Sequence, residues 1–310
     1  MSFGGITLYP IYRKTPCKED YLLLEQAADA GLVIVTDTGS ISTLKVKNRA
    51  SKSLLILAGA QLVGGLQNRI ANTTALVLPG RSISLPASCV ERGRWSPRTE
   101  DSWLQRSRSR LQGPTPSRRK PVREELSFAA SLPAPPSVRG QALADTHRAL
   151  RSLGRPETDQ VAIWDRVSRV LSSRRVRSRT DALDDVYARE TAALESFVAS
   201  LPYPNNAIGA IVASGRSFRW VELLSKPEAA REIWPRWVKS WALEYGGRAE
   251  GFTVSIDGAI EILNTISSAP SEAFKGQGPG LELRFEVGNI TGSAYAYNGE
   301  VLHTVAAISG

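Results

Sequence analysis

The hydrophobic pattern changes period twice along the chain, and that limits the fold more than any other sequence feature. Up to about residue 90 the apolar residues come in short runs or alternate with polar ones, as strands require. Gly31–Thr36 is a β-branched run behind a glycine, Ser42–Asn48 alternates strictly, and Ser53–Ala58 reads as a buried strand. Thr73–Leu78 and Ser82–Pro86 follow, divided by the turn Pro79-Gly80. Strands this short and closely spaced predict a sandwich or barrel-like lobe over residues 1–95, with a helix at Lys18–Ala30.

From Gln141 the period becomes helical. Val161, Trp164, Val167 and Leu171 recur at three- and four-residue spacing, as do Leu183, Val186, Leu194 and Phe197, with Thr180 placed to cap the second helix. Ala207–Ala213 returns to strand character and predicts a hairpin to Phe218–Val221. Ser225-Lys-Pro-Glu228 has the form of a capped helix start. The helix behind it carries Ile233, Trp234, Trp237, Trp241 and Tyr245 on one side, a stripe that reads as core. Leu281–Val287, Ser293–Tyr297 and Val301–Ile308, with a turn at Asn298-Gly299, predict an antiparallel meander. The expected class is α+β: an N-terminal β-rich lobe, central helices and C-terminal antiparallel strands. Residues 141–310 are expected to pack with 1–95 as one domain.

Residues 96–140 break both patterns. They are rich in Ser, Arg and Pro, which bury little apolar surface, and they predict a loop or linker with one helical turn near Glu124–Ala130. Charge is concentrated in the same way. Residues 92–123 hold ten Lys/Arg and two acids, and residues 166–179 hold six Arg and no acid. The net charge is +9. These two segments therefore carry all the positive excess and suit phosphates, nucleic acid or an acidic partner; solvated faces are the plainer reading.

Several chemistries are limited by counting. The two cysteines, Cys17 and Cys89, and the two histidines, His147 and His303, form no ligand-spaced pair, so no zinc site is expected. A Ser-His-Asp system would have to recruit one of those histidines. No window approaches the ~18 apolar residues of a membrane helix, and the N-terminus lacks the features of a secretory signal. The expected compartment is the cytoplasm.

The densest polar stretch is Gly59–Thr74, AGAQLVGGLQNRIANTT with its preceding alanine, followed by LPASCVERGRW at Leu85–Trp95. Strands do not need Gln67, Asn68, Arg69 and Asn72 so close together. If buried, these groups must find partners, either backbone at strand ends or a ligand, because each unpaired group costs ~1–3 kcal/mol. In the second half, extended backbone places Cys89 and Glu91 on one face. Cys89 is a candidate nucleophile if Arg92 and Arg94 lower its pKa, and Glu91 a candidate general acid or base. The arginines offer fork donors for phosphate, and Trp95 a stacking face. Lys275-Gly-Gln-Gly-Pro-Gly280 is glycine-rich but precedes a strand, so it reads as a turn and not a phosphate loop. Asp181, Asp184 and Asp185 sit where a helix dipole favours acids.

These two polar runs resemble the signature of the ARPP family, the ADP-ribosylglycohydrolase- and rhodanese-phosphatase-superfamily-associated protein domain. AIWDRVSRVL, AIGAIVASG and GEVLHTVAAI are similar to later blocks of that family, so the resemblance covers most of the chain. Gln67, Asn68, Arg69, Asn72, Cys89, Glu91, Gly93, Arg94 and Trp95 match the pattern. Gln61 departs from it, standing where an acid usually does. If that acid is a base or metal ligand, its loss bears on whether chemistry is retained. Through gene association, the resemblance implies a nucleotide-like ligand, ADP-ribose or NAD-derived. On that reading Gln67, Asn68, Arg69, Asn72, Arg92, Arg94 and Trp95 bind it, with Glu91 and Cys89 as catalytic candidates. A non-catalytic sensor using the same pocket, and a nucleic-acid or protein binder acting through 92–123 and 166–179, are the alternatives.

Overall fold

The computed structural model describes residues 1–95, 128–247 and 254–309. The chain opens with β1 (Ser2–Phe3) and β2 (Ile6–Tyr12), then β3 (Tyr21–Leu23) runs directly into α1 (Leu24–Asp29). The next strands are β4 (Val33–Asp37), β5 (Thr43–Asn48), β6 (Ser53–Ile56), β7 (Gln61–Gly64), β8 (Arg69–Ala71), β9 (Ala75–Val77), β10 (Ser82–Cys89) and β11 (Phe128–Ala130). Six of them form a sheet in the order β11-β7-β8-β10-β5-β4, whose two edge strands approach each other and nearly close a barrel. Its interior holds Val35, Leu44, Val46, Leu62, Ala71 and Leu85. β3, β6 and β9 make a smaller sheet beside it.

The helices are α2 (Pro136–Leu153), α3 (Gln160–Ser173), α4 (Asp184–Ser200), α5 (Pro227–Tyr245) and α6 (Ile256–Ser268). Between and after them lie β12 (Ala207–Ser214), β13 (Ser217–Leu224), β14 (Ser271–Lys275), β15 (Leu281–Val287), β16 (Ile290–Tyr297) and β17 (Glu300–Ile308). These strands, with β1 and β2, form an eight-stranded antiparallel sheet in the order β1-β2-β12-β13-β17-β16-β15-β14. The tryptophan stripe of α5 is core: Trp234, Trp237 and Trp241 are buried, and the last two stack at 5.8 Å. They join a cluster that also contains Leu23, Leu55, Ile70 and Val90 from the N-terminal strands. On another patch of the large sheet, Ile262, Leu263 and Ile266 of α6 pack on Ile211, Phe285 and Ile308.

The architecture is thus α+β, with the meander and the 207–221 hairpin where the sequence places them. Some local expectations are corrected. β1 and β2 belong to the C-terminal sheet, because Ile6–Tyr12 pairs with β12 and not with the barrel. The helix expected from Lys18 starts only at Leu24, since Tyr21–Leu23 pairs in parallel with β6. Phe128–Ala130 is a strand against β7 and not a helical turn, and α2 begins at Pro136, inside the stretch read as linker. Residues 96–127 of that stretch lie outside the described residues. Two expected caps are employed elsewhere. Ser225 hydrogen-bonds the buried Tyr21 hydroxyl at 2.9 Å, leaving Lys226 at the N-cap of α5. Thr180 donates to Glu91, and Leu183 takes the cap position of α4. In both cases a buried polar group distant in sequence outcompetes a local one, since leaving it unpaired costs more than a missing cap.

Candidate functional site

The β7–β8 hairpin and the end of β10 assemble a buried polar knot around Glu91. Arg94 Nε donates to Glu91 Oε1 at 2.9 Å and Nη2 to Oε2 at 2.6 Å, a bidentate pair. The Asn68 backbone N–H adds a bond to Oε2 at 3.0 Å, and Thr180 Oγ1 one to Oε1 at 2.8 Å. Burial pushes the Glu91 carboxyl up, but the bonds from Arg94 and Thr180 and the Arg94 charge outweigh it and hold the group below its usual range. Arg94 also donates to the Gly65 carbonyl at 2.7 Å and the Gly64 carbonyl at 3.2 Å. The Glu91 carboxylate thus accepts four hydrogen bonds, two on each oxygen.

Behind this pair, Gln67 Nε2 donates to the Glu91 carbonyl at 3.0 Å, and Gln67 Oε1 accepts from Arg69 Nη1 at 3.0 Å. Arg69 is fully buried, donates to the Ser40 carbonyl at 3.2 Å, and lies 5.6 Å from the centre of the half-exposed Trp95 ring. Asn68 Oδ1 accepts from Gly64 N at 3.1 Å. These amides bond protein groups on one side, while Asn68 Nδ2 and Arg69 Nε are buried with no hydrogen-bond partner among the described residues.

The remaining candidates separate. Cys89 is buried, its thiol donates to the Glu91 carbonyl at 3.1 Å, and burial pushes its pKa up. A buried, protonated thiol is a packing group and a poor nucleophile. Arg92 is exposed and stacks on Trp164 at 5.5 Å. Asn72 faces elsewhere: it accepts from Ser88 Oγ at 2.6 Å and donates to the Pro156 carbonyl at 3.2 Å. Gln61 is buried, with Nε2 donating to Asp184 Oδ1 at 3.2 Å and Oε1 unpartnered. Among the described residues no three His, Cys, Asp or Glu side chains are grouped to hold a metal. His303 lies in a separate buried chain, between Thr74 Oγ1 at 2.7 Å and Glu222, which Arg139 also grips. Burial pushes the Glu222 carboxyl up, but the Arg139 charge together with the hydrogen bonds from His303 and Arg139 outweighs it and brings the group to about 2.

What sequence reasoning missed is the wall opposite Glu91. The second basic run ends in a loop that folds back on the signature. Gly93 N donates to the Thr180 carbonyl at 2.7 Å, Leu183 N to the Val90 carbonyl at 3.0 Å, and Glu91 bridges Ala182. Gly93 permits this approach, since a Cβ there would lie 2.8 Å from Thr180 Cα. The result is an open cleft of about 700 Å³ with Glu91, Arg94 and Thr180 on one side. Arg175, Arg177, Arg179, Arg189 and Asp185 complete its lining. These four arginines are exposed and form no ion pair among the described residues, while Asp185 Oδ2 accepts from Ser178. The run of arginines was visible in the sequence; its contact with the signature was not, because 80 to 90 residues separate them.

Fold and site together define an α+β protein with an arginine-lined cleft built on a buried carboxylate–guanidinium latch. The family model for ARPP-1, the ARG and Rhodanese-Phosphatase-superfamily-associated Protein domain, matches residues 1–307, and the chain belongs to that family. No curated protein and no solved structure matches it.

Proposed function

We propose that this cleft binds a phosphorylated small molecule of nucleotide type, with ADP-ribose and NAD-derived compounds as the first class to test. The observation that supports it is the set of four exposed arginines, in no ion pair among the described residues, that line with Arg94 a cavity of about 700 Å³, within the range of small-molecule sites. Guanidinium forks match phosphate oxygens two at a time, and a concave surface concentrates the field of its charges. Arg94, held at both ends by Glu91 and the Gly64–Gly65 carbonyls, presents its charge with little freedom left to lose on binding. The family's recorded association with ADP-ribose enzymes is consistent with such a ligand but names none. In this reading Glu91 is a positioning residue, Gln67, Asn68 and Arg69 support it, and binding without chemistry is the function the geometry supports best.

The test is calorimetry and thermal shift with ADP-ribose, ADP, NAD and inorganic diphosphate. At least one should bind, and Arg177→Glu with Arg179→Glu should abolish binding without unfolding the protein. Failure of all four to bind, or binding that survives the double reversal, overturns the proposal. A second reading has its own support: the basic surface continues from the cleft to a neighbouring hollow lined by Arg166, Arg169 and Arg174. If short RNA or DNA binds instead, with steep salt dependence and loss on deleting residues 104–122, the basic segments are the functional surface.

A further inference from the structure

A second cleft lies on the opposite face of β10. Along an extended strand alternate side chains point to opposite sides, so Ser84, Pro86 and Ser88 share a face that Glu91 does not. These three residues line a cavity of about 480 Å³. Further polar groups come from segments remote in sequence: Ser42 and Thr43 at the start of β5, Asn72 from the signature, Thr158 and Gln160 around the N-terminus of α3, and Gln277 from the Lys275–Gly280 loop.

Ser88, Asn72, Thr158 and Gln160 are held by hydrogen bonds. Ser88 Oγ donates to Asn72 Oδ1 at 2.6 Å and also contacts Thr158 Oγ1; Asn72 and Ser88 are both almost completely buried. Gln160 brackets Cys89 at the end of β10, beyond the stretch paired with β5, accepting from Cys89 N and donating to the Cys89 carbonyl, both at 2.8 Å. The glycine-rich loop, whose role the sequence left as a turn, is pinned to the N-terminal strands. Gln277 pairs with Ala75, its carbonyl accepts from Leu76 N at 2.9 Å, and Tyr295 donates to the same carbonyl at 3.1 Å. With its backbone held, Gln277 lines the cleft, and neither its side-chain amide nor the Ser84 hydroxyl has a hydrogen-bond partner among the described residues.

The chemistry of this lining differs from that of the arginine cleft. It is hydroxyls and carboxamides, with Ile41, Pro86 and Pro156 as apolar surface, and its only formal charges, Arg155 and Glu157, pair with each other at 3.3 Å. Such groups give and accept hydrogen bonds in directions set by a fixed frame and offer no net field to an anion. We infer that this cleft is a separate binding site for an uncharged, polyhydroxylated ligand, a sugar or the sugar of a nucleoside.

The site can be tested without the arginine cleft being functional. D-ribose, N-acetylglucosamine and adenosine would be titrated into labelled full-length protein while the side-chain amide signals of Gln277 and Gln160 are followed by NMR. At least one probe should shift both signals saturably. Gln277→Ala should weaken that probe about tenfold, as expected for the loss of a side chain making one or two neutral hydrogen bonds. Ser84→Trp, which fills the cleft from an exposed strand position, should abolish the shift. Inorganic diphosphate should leave both signals unmoved. The inference is overturned if no probe moves them, if the response is unchanged in both variants, or if diphosphate moves them in place of the neutral probes.

Discussion

Replacing Glu91 with glutamine changes almost no volume and removes one charge, which isolates the latch. Oε1 accepts from Arg94 Nε and Thr180, and Oε2 from Arg94 Nη2 and Asn68 N. Whichever way a glutamine amide turned, its NH2 would face one Arg94 donor, and the guanidinium would lose its counter-charge. Breaking one side of a buried pair costs ~3–5 kcal/mol. The Arg94 side chain is 9% exposed, which places the expected loss near the lower limit, about 3 kcal/mol. At roughly 2 °C per kcal/mol for a chain of this size, Tm should fall by about 6 °C. The loss should also depend on pH with a definite sign. Glu91 sits below its ordinary value of 4.5, so the wild-type latch contributes fully above that value and fades as pH falls through the lower folded value. Urea unfolding of wild type and Glu91→Gln, followed by tryptophan fluorescence, should show the full gap at neutral pH and a shrinking gap below 4.5. A neutral-pH gap under about 1 kcal/mol, or a gap independent of pH, would refute the latch.

Gly59→Ala should destabilise by at least about 2 kcal/mol in the same assay, because Gly59 has φ 79° and a Cβ would lie 2.5 Å from Arg139 Nε, disturbing the grip on Glu222. A loss within experimental error would show that Arg139 relocates freely. Thiol titration of native protein should count one fast group, Cys17, with Cys89 reacting only on unfolding, because burial both shields its thiol and raises its pKa; two equally fast thiols would contradict the buried placement. Trp241→Ala should cost ~3–5 kcal/mol by calorimetry, as expected for truncating a fully buried tryptophan. A cost near zero would mean that the stripe on α5 is not core.

What the sequence determined by itself was local. Alternation at Ser42–Asn48 and the apolar run at Ser53–Ala58 suffice for strands, because residues two apart share a face whatever lies beyond them. The tryptophans of α5 declared a buried face through their spacing and size, and the closing meander was marked by its turns. The sequence also marked Glu91, Arg94, Gln67 and Asn68 as one polar cluster, since such groups have no place in an ordinary strand, and the fold joins them by hydrogen bonds.

Tertiary structure alone decided which partners those groups took. Thr180 and Ser225 look like caps to a local reading, yet each meets a buried polar group 89 or 204 residues away. Ile6–Tyr12 lies inside the stretch read as the N-terminal lobe, yet as β2 it pairs with β12. Glu91 looks like an acid or base from its neighbours in sequence; the fold gives its carboxylate four hydrogen bonds, two of them from Arg94. Asn72 belongs to the signature by position but faces a different cleft from Arg94, and the arginines of 175–179 become part of the site only because the chain returns to Gly93. The physical reason is the same throughout. Periodicity is set by bonded neighbours, whereas the choice among hydrogen-bond and charge partners is made by burial, which brings together groups that the order of residues keeps apart.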